Sequence, residues 1–156
     1  MNKTLICYFS ASGVTKSAAE NLSKMINADL FAIEPLIKYT NEDLDWNDQN
    51  SRSSKEMEEA TSRPEIKDQL TNINDYDTIL IGYPIWWDLA PRIINTFIES
   101  VHLENKKVFV FATSGGSGVE NSFQMLKREY PNINFISAKR LSWNVSKEEI
   151  SSWLEG

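Results

Sequence analysis

Two continuously apolar runs, at residues 79–81 and 108–111, most constrain the fold of this 156-residue chain. Strands that are apolar at every position, rather than at alternate positions, are typical of parallel sheets covered on both faces. The five strand-length runs lie at about residues 4–9, 30–33, 78–83, 108–112 and 133–138, and helical patterns alternate with them. This alternation predicts βαβ units and therefore an α/β fold, a three-layer, doubly wound sandwich.

Apolar residues spaced three or four positions apart predict the helices. The predicted inward faces are Val14, Ala18, Leu22, Met25 and Ile26; Ile66, Leu70 and Ile73; Ile94, Phe97, Ile98 and Val101; Val119, Phe123, Leu126 and Tyr130; and Ile150, Trp153 and Leu154. Capping boxes at 62–65 and 146–149 predict the starts of the second and the last of these helices. Residues 39–62 are polar and without a clear period, which predicts a long loop with a helical turn around 55–60. We expect one domain over residues 1–156.

Composition limits the partners that the chain can have. A formal net charge of −6 argues against a nucleic-acid partner, which requires a basic face. No apolar stretch approaches the roughly 18 residues of a membrane span, and the N-terminus shows no export-signal pattern. The single cysteine, Cys7, excludes an internal disulfide and favours a cytoplasmic location. With His102 as the only histidine, we predict neither a metal site nor a Ser-His-Asp triad.

A hydroxyl- and glycine-rich turn joins the first predicted strand to the first helix; its residues are Ser10-Ala11-Ser12-Gly13-Val14-Thr15. Such a turn directs several backbone N–H groups and the positive end of the helix dipole at one point, which suits a phosphate. The turn has neither a Walker A lysine nor the G-x-G-x-x-G pattern. We therefore expect the amides and the Ser10, Ser12 and Thr15 hydroxyls to hold a phosphate monoester without metal. An ordinary capped turn is the alternative.

Two further loops follow the third and fourth predicted strands. They are Pro84-Ile85-Trp86-Trp87 and Thr113-Ser114-Gly115-Gly116-Ser117-Gly118. In doubly wound sheets, ligands bind beyond the carboxyl ends of the strands, where the strand order reverses. A flat aromatic ligand would cover an exposed tryptophan, although capping of the core is an alternative, and the glycines allow close backbone approach. Together the three loops suit a phosphate, a flat ring and backbone contacts.

The residues of these loops resemble the flavodoxin family, in particular its short members with a Pro-Ile-Trp-Trp loop, over essentially the whole chain. The resemblance implies a five-stranded parallel sheet of order 2-1-3-4-5, with FMN at the switch point. It also implies that Ser10 to Thr15 hold the FMN phosphate and that Pro84 to Trp87 line the isoalloxazine. Trp86 or Trp87 would lie against the ring, and Thr113 to Gly118 would offer amides to its polar edge.

The resemblance further implies that the flavin carries the chemistry, so that no side chain is expected to act as a nucleophile or general base. One version is an electron carrier that docks on larger redox proteins, which the acidic charge favours. The other is an NAD(P)H-dependent FMN quinone reductase, favoured by the two tryptophans and the 39–62 segment. In that segment Tyr39 and Trp46 could cover the flavin or make an oligomer contact, and local packing is the alternative. A binding module that has lost its cofactor is a third alternative. The oligomeric state stays open.

Overall fold

The computed structural model describes residues 3–114, 116–142 and 144–155. Within these residues, five strands form one parallel sheet and five α-helices accompany it. The strands are β1 (Thr4–Tyr8), β2 (Asp29–Ala32), β3 (Thr78–Pro84), β4 (Lys107–Thr113) and β5 (Phe135–Arg140). The helices are α1 (Val14–Ile26), α2 (Arg52–Glu58), α3 (Arg92–Ser100), α4 (Glu120–Glu129) and α5 (Lys147–Glu155). None of these helices is long and apolar enough to cross a membrane.

The strand order is β2-β1-β3-β4-β5, which confirms the fold predicted from the sequence. All four neighbouring pairs are parallel, with Leu5 opposite Ile79 and Ile79 opposite Val108. The order reverses beside β1, because the chain passes from β1 outward to β2 and then returns to β3 on the other side. The loops after β1 and β3 therefore flank the switch point, where doubly wound folds bind ligands.

Two hydrophobic cores cover the two faces of the sheet. One joins alternate strand residues such as Ile79 and Val110 to Ile94 of α3 and Phe123 of α4. The other joins the intervening residues, such as Leu80, to α1 and α5. Successive residues of a strand point to opposite faces, so a continuously apolar strand serves both cores.

Gly82 is required by a close contact inside the sheet. It pairs with Phe111 across β3 and β4, and a Cβ atom at position 82 would lie 2.0 Å from Cζ of that ring. A side chain larger than hydrogen therefore cannot fit without displacing Phe111, which is fully buried.

The helix predicted from Ile66 to Ile73 is wrong. The 62–65 capping box does not start a helix; instead Ile66 forms an isolated antiparallel bridge with Pro35, and only a short 3-10 turn occurs at Ile73–Asp75. The amide of Leu36 donates to the Glu65 carbonyl, and that of Lys67 donates to the Glu34 carbonyl, both at 2.8 Å. These long-range bonds use backbone groups that a helix would need, while Ile66 and Leu70 still pack on the core. Local pattern thus yields to tertiary pairing.

Helix α2 lies inside the segment predicted as a loop and begins before the turn expected around 55–60. Ser51 caps it, because the Ser51 hydroxyl accepts from the Ser54 amide. Its other end is held by buried Arg92, whose guanidinium donates to the carbonyls of Met57 at 2.8 Å and Glu56 at 3.4 Å. A cation at the carbonyl end of a helix is favourable. By contrast, the 146–149 capping box does start α5, as predicted: the Glu149 amide donates to the Ser146 hydroxyl.

Candidate functional site

Three loops meet at the carboxyl edge of the sheet, as the sequence predicted. The hydroxyls of Thr15 and Thr113 share a buried hydrogen bond of 2.7 Å, which ties the loop after β1 to the loop after β4. The Ile85 amide donates to the Thr113 carbonyl at 3.0 Å, which ties the loop after β3 to the same residue. Thr113 therefore connects the three loops around one site.

The loop after β1 presents an open helix N-terminus. Gly13, the N-cap of α1, has a φ of 98°, and a Cβ there would meet nothing within 4 Å. Its amide donates to the Ser10 hydroxyl at 3.1 Å, which closes the turn. No side chain caps α1, and its first turn carries no acidic residue. The uncapped amides and the helix dipole thus leave favourable positive potential for an anion.

The three hydroxyls predicted for this loop are not equivalent. Thr15 is 1% exposed and its hydroxyl is engaged with Thr113, so it positions the loop from below. Ser12 is exposed, and Ser10 is half-buried. Val14, the first residue of α1, is 60% exposed. Ser10, Ser12 and the first amides of α1 are therefore the polar groups that this loop could offer to an anion.

The two tryptophans lie in a tight hairpin after β3. The amide of Trp86 donates to the Leu89 carbonyl at 2.9 Å, and the Leu89 amide donates back at 3.0 Å. Between them, Trp87 and Asp88 have φ values of 49° and 65°, as a type I′ turn requires. Aspartate tolerates this left-handed conformation, but a bulky aromatic residue is strained there. The Asn121 side chain donates to the Asp88 carbonyl at 3.2 Å and so supports the turn from α4.

Trp86 belongs to an aromatic cluster beneath the site. Its ring lies edge to face with Phe9 at 5.6 Å and with Tyr39 at 5.5 Å between centroids, and Phe9 and Tyr39 are 5.7 Å apart. Such edge-to-face contacts are favourable because the ring edge is positive and the ring face negative. Trp86 is thus fixed from two sides, whereas Trp87 is 47% exposed.

Helix α2 fastens Tyr39 into this cluster. The Tyr39 hydroxyl donates to the Glu56 carboxylate at 2.5 Å, and the Arg52 guanidinium lies 3.8 Å from the Tyr39 ring centroid. Arg52 also donates to Glu56 at 3.0 Å and to the Ile37 carbonyl at 2.7 Å. Burial, and then the bond to the Glu56 carboxylate, raise the pKa of Tyr39 far above its usual value, so this tyrosine stays neutral. These contacts therefore hold residues 39–58 in place as one wall of the site.

An apolar cleft of about 440 Å³ opens between the first loop, the hairpin and this wall. Its lining residues are Ala11, Ser12, Leu44, Trp46, Ser53, Pro84, Ile85, Trp86 and Trp87. Six of them were predicted site residues. Leu44 and Ser53 were missed, and Trp46 was only considered as a possible cover for a flavin. The volume is within the range of about 300–1,000 Å³ that is typical of small-molecule sites.

The loop after β4 is described except for Gly115, a predicted site residue that lies outside the described residues. The Ser114 hydroxyl donates to the Ser117 carbonyl and closes the loop on itself. At Gly116 a Cβ would meet nothing within 4 Å, whereas at Gly118 it would lie 2.5 Å from a Glu120 carboxylate oxygen. The space beside Gly116 is therefore open to a ligand, whereas the space beside Gly118 is occupied by the Glu120 side chain.

The described residues contain no cluster of three or more histidine, cysteine, aspartate or glutamate side chains that could hold a metal ion. Cys7 lies fully buried in β1, and burial raises the pKa of its thiol well above the usual value. A neutral, inaccessible thiol is no nucleophile.

Comparison with known proteins agrees with this geometry. The family model described as Flavodoxin matches residues 3–156. The chain belongs to the flavodoxin family. A candidate flavoprotein from Bacteroides eggerthii is 50% identical, with a TM-score of 0.97 over 99% of this chain and 97% of that one. A flavoprotein from Lactobacillus acidophilus, in complex with FMN, is 26% identical, with a TM-score of 0.77 over 99% of each chain.

More distant members of the family share the fold alone. The two-electron reduced flavodoxin of Megasphaera elsdenii is 17% identical, with a TM-score of 0.59 over 98% of this chain and 99% of that one. No curated protein sequence matches the chain. This likeness shows that the fold is shared.

Proposed function

We propose that this protein binds FMN non-covalently and transfers electrons through it. The observation that carries the proposal is the uncapped N-terminus of α1, which opens beside an aromatic cleft of about 440 Å³. A phosphate fits the first feature and a flat ring fits the second, and FMN carries both. The FMN complex of the Lactobacillus acidophilus relative supports the choice of cofactor. When bound, FMN supplies a ring that accepts and returns electrons.

The predicted residues have distinct roles in this proposal. The amides of α1 from Val14 onward, with the Ser10 and Ser12 hydroxyls, hold the phosphate, while the Gly13 amide closes the turn on Ser10. Pro84 to Trp87 line the isoalloxazine, and Trp46 adds a wall that the sequence alone did not assign. The amides from Thr113 to Gly118 meet the polar edge of the ring, with Gly115 included on sequence grounds alone. Thr15 acts indirectly, since its hydroxyl is bonded to Thr113.

The cleft contacts the ring and excludes water, and it does not provide acid–base groups. None of its described lining residues is ionisable. The Glu56 carboxylate, behind the Tyr39 ring, is engaged with Tyr39 and Arg52. The side chains are therefore expected to orient the ring and exclude water, and none of them is assigned a proton-transfer step.

A comparison of FMN with riboflavin, which lacks the phosphate, tests the proposal. Ser12→Asp places a negative charge at the uncapped N-terminus of α1, so it should weaken FMN binding at least about tenfold while riboflavin binding changes little. The matched control is Thr61→Asp, which adds the same charge at an exposed position outside the cleft. Binding is followed by flavin fluorescence. Equal loss of both ligands in Ser12→Asp, or no FMN binding by the wild-type protein, would refute the proposal.

A second candidate is an NAD(P)H-dependent quinone reductase with the same cofactor. The observation in its favour is the wall that Leu44 and Trp46 add to the cleft, because a docking surface for a large redox protein needs no such enclosure. Steady-state oxidation of NADH or NADPH by the FMN-loaded protein, with a quinone present, separates the two. Rapid turnover supports the reductase. Turnover at the rate of free FMN supports a carrier that serves a redox protein partner.

A further inference from the structure

A second groove lies beside the cleft and shares two of its residues, Trp46 and Trp87. Its volume is about 220 Å³. We propose that this outer groove binds a small planar aromatic cation, recognised by the two indoles and by the carboxylate of Glu58. The inference rests on the proposed function, because it takes the inner cleft to be filled by the flavin and the outer groove to be free for a second ligand.

The size of the outer groove limits the ligand to about one ring. Sites for drug-sized molecules occupy about 300–1,000 Å³, and the outer groove is smaller than that range. Met57 and Leu89 complete its apolar lining beside the two indoles. Met57 is buried in α2, and Leu89 is held by the hairpin bonds to Trp86, so this part of the lining is preformed.

The charge of the outer groove selects a cation. Glu58 is the only charged residue among its described lining residues, and Gln49 is neutral. The Ser54 hydroxyl already donates to the Asp48 carbonyl at 2.8 Å and accepts from the Ser51 hydroxyl at 2.9 Å, so it has no donor left for an anion. Indole faces attract cations as well. A planar cation therefore gains from both kinds of contact, whereas an anion gains from neither.

The backbone of Trp87 is a separate indication that this indole serves a ligand. Its φ of 49° lies in the left-handed region, which a bulky aromatic residue rarely adopts. Strained residues of this kind persist where the surroundings hold them, and they cluster at ligand sites. Here the hairpin bonds and Asn121 hold the turn, and the indole stays 47% exposed between the cleft and the outer groove. Trp46, which is 71% exposed, lines both cavities from the segment that precedes α2.

Two probes of nearly the same shape test the proposal. The 1-methylnicotinamide ion is a planar aromatic cation, and nicotinamide is its uncharged counterpart. Each is titrated into the FMN-loaded protein and followed by ligand-observed NMR, after the visible flavin spectrum has shown that the cofactor is retained. We expect the cation to bind about two- to fivefold more tightly than the neutral ring, as exposed cation–π contacts imply.

Glu58→Gln and Glu59→Gln form a matched pair, because they remove the same charge from adjacent exposed residues and only Glu58 lines the outer groove. Glu58→Gln should reduce the preference for the cation about two- to fivefold, and Glu59→Gln should leave it unchanged. Equal binding of the two probes, or equal effects of the two substitutions, would overturn the inference.

The two proposals fail in distinguishable ways. If FMN is retained but neither probe binds, the outer groove is not a site and the proposed function stands. If FMN is not retained while the cation still binds with dependence on Glu58, the proposed function fails and the outer groove is supported. The comparison of Glu58→Gln with Glu59→Gln is then made on the FMN-free protein, where it also separates the outer groove from the vacant cleft.

Discussion

Replacing Tyr39 by phenylalanine removes one hydroxyl and keeps the ring. The ring contacts with Phe9 and Trp86 are therefore retained, while the 2.5 Å hydrogen bond to the Glu56 carboxylate is lost. A hydrogen bond to a charged group contributes about 1.5–3 kcal/mol. Glu56 keeps its bond from Arg52 at 3.0 Å, so it is not left unpaired and the loss belongs at the lower end of that range. We expect Tyr39→Phe to lower the free energy of unfolding by about 1–2 kcal/mol.

Thermal unfolding checks this magnitude. For a chain of about this size, 1 kcal/mol corresponds to about 2–4 °C in Tm, so Tyr39→Phe should lower Tm by about 2–8 °C. A double-mutant cycle with Glu56→Gln assigns the effect to the pair, since most of the loss should disappear when Glu56 is already changed. An unchanged Tm, or additive effects in the cycle, would show that the hydroxyl contributes nothing at this position.

The dependence of folding stability on alkaline pH tests the Tyr39–Glu56 interaction independently. Folding raises the pKa of Tyr39, because burial and the Glu56 carboxylate disfavour the tyrosinate. The stabilisation is therefore complete below about pH 10, where unfolded tyrosine is neutral, and is lost as the pH rises above that value. The difference in stability between the wild-type protein and Tyr39→Phe should shrink above about pH 10. A difference that grows with pH would contradict the assignment.

A second tyrosine–carboxylate pair provides the control for function. The Tyr130 hydroxyl donates to Glu99 at 2.6 Å, and neither residue lines the cleft. Tyr130→Phe should also lower stability, but only Tyr39→Phe should weaken FMN binding, by about two- to fivefold, because Tyr39 positions Trp86. If both variants bind FMN equally well, the aromatic cluster does not preorganise the site.

Three shorter predictions concern the sheet, the surface and the hairpin. Gly82→Ala should destabilise the protein by about 1–3 kcal/mol in urea unfolding, because its Cβ would overlap Phe111; a smaller loss would mean that the ring moves freely. Hydrogen bonds from Arg63 hold the pKa of the Glu99 carboxyl below its usual range, so that pair stabilises the fold above about pH 4.3 and ceases to do so in acid. Urea midpoints of Glu99→Gln should therefore fall less steeply with acid than those of the wild-type protein, and parallel curves would contradict this. Trp87→Asn should raise Tm, since asparagine tolerates a positive φ, while weakening FMN binding; a lower Tm would show that the backbone is not strained.

The sheet and the three loops could be predicted because their signals are local. A strand buried on both faces is apolar at every position, as at residues 79–81, and the loop residues follow those runs directly. Each predicted strand was found within about two residues of its observed bounds. The carboxyl edge then assembles by topology alone, because parallel strands end at the same side of the sheet.

Helix α2 shows what local signals omit. Its sequence, RSSKEME, has one buried apolar residue, Met57, so no period marks it as a helix. Besides the local Ser51 cap, it is held by the Arg92 guanidinium at its last carbonyls and by the pairing of Glu56 with Tyr39. Residues 66–73 are the converse, with a helical period but a backbone bonded to another segment. In both cases contacts between distant residues decided the structure.

The wall of the cleft depends on the same distant contacts, which is why Leu44 and Ser53 were missed. Trp87 is a different case, because its conformation contradicts a local rule rather than escaping one: no pattern predicts a tryptophan at a φ of 49°. The neighbouring Asp88 is suited to the type I′ turn, and an asparagine or glycine at position 87 would be suited as well. A residue that is unfavourable for the backbone conformation of its turn indicates a role other than stabilising the fold. Trp87 lies between the cleft and the outer groove, and contact with a ligand there is the reason that we propose for its conformation.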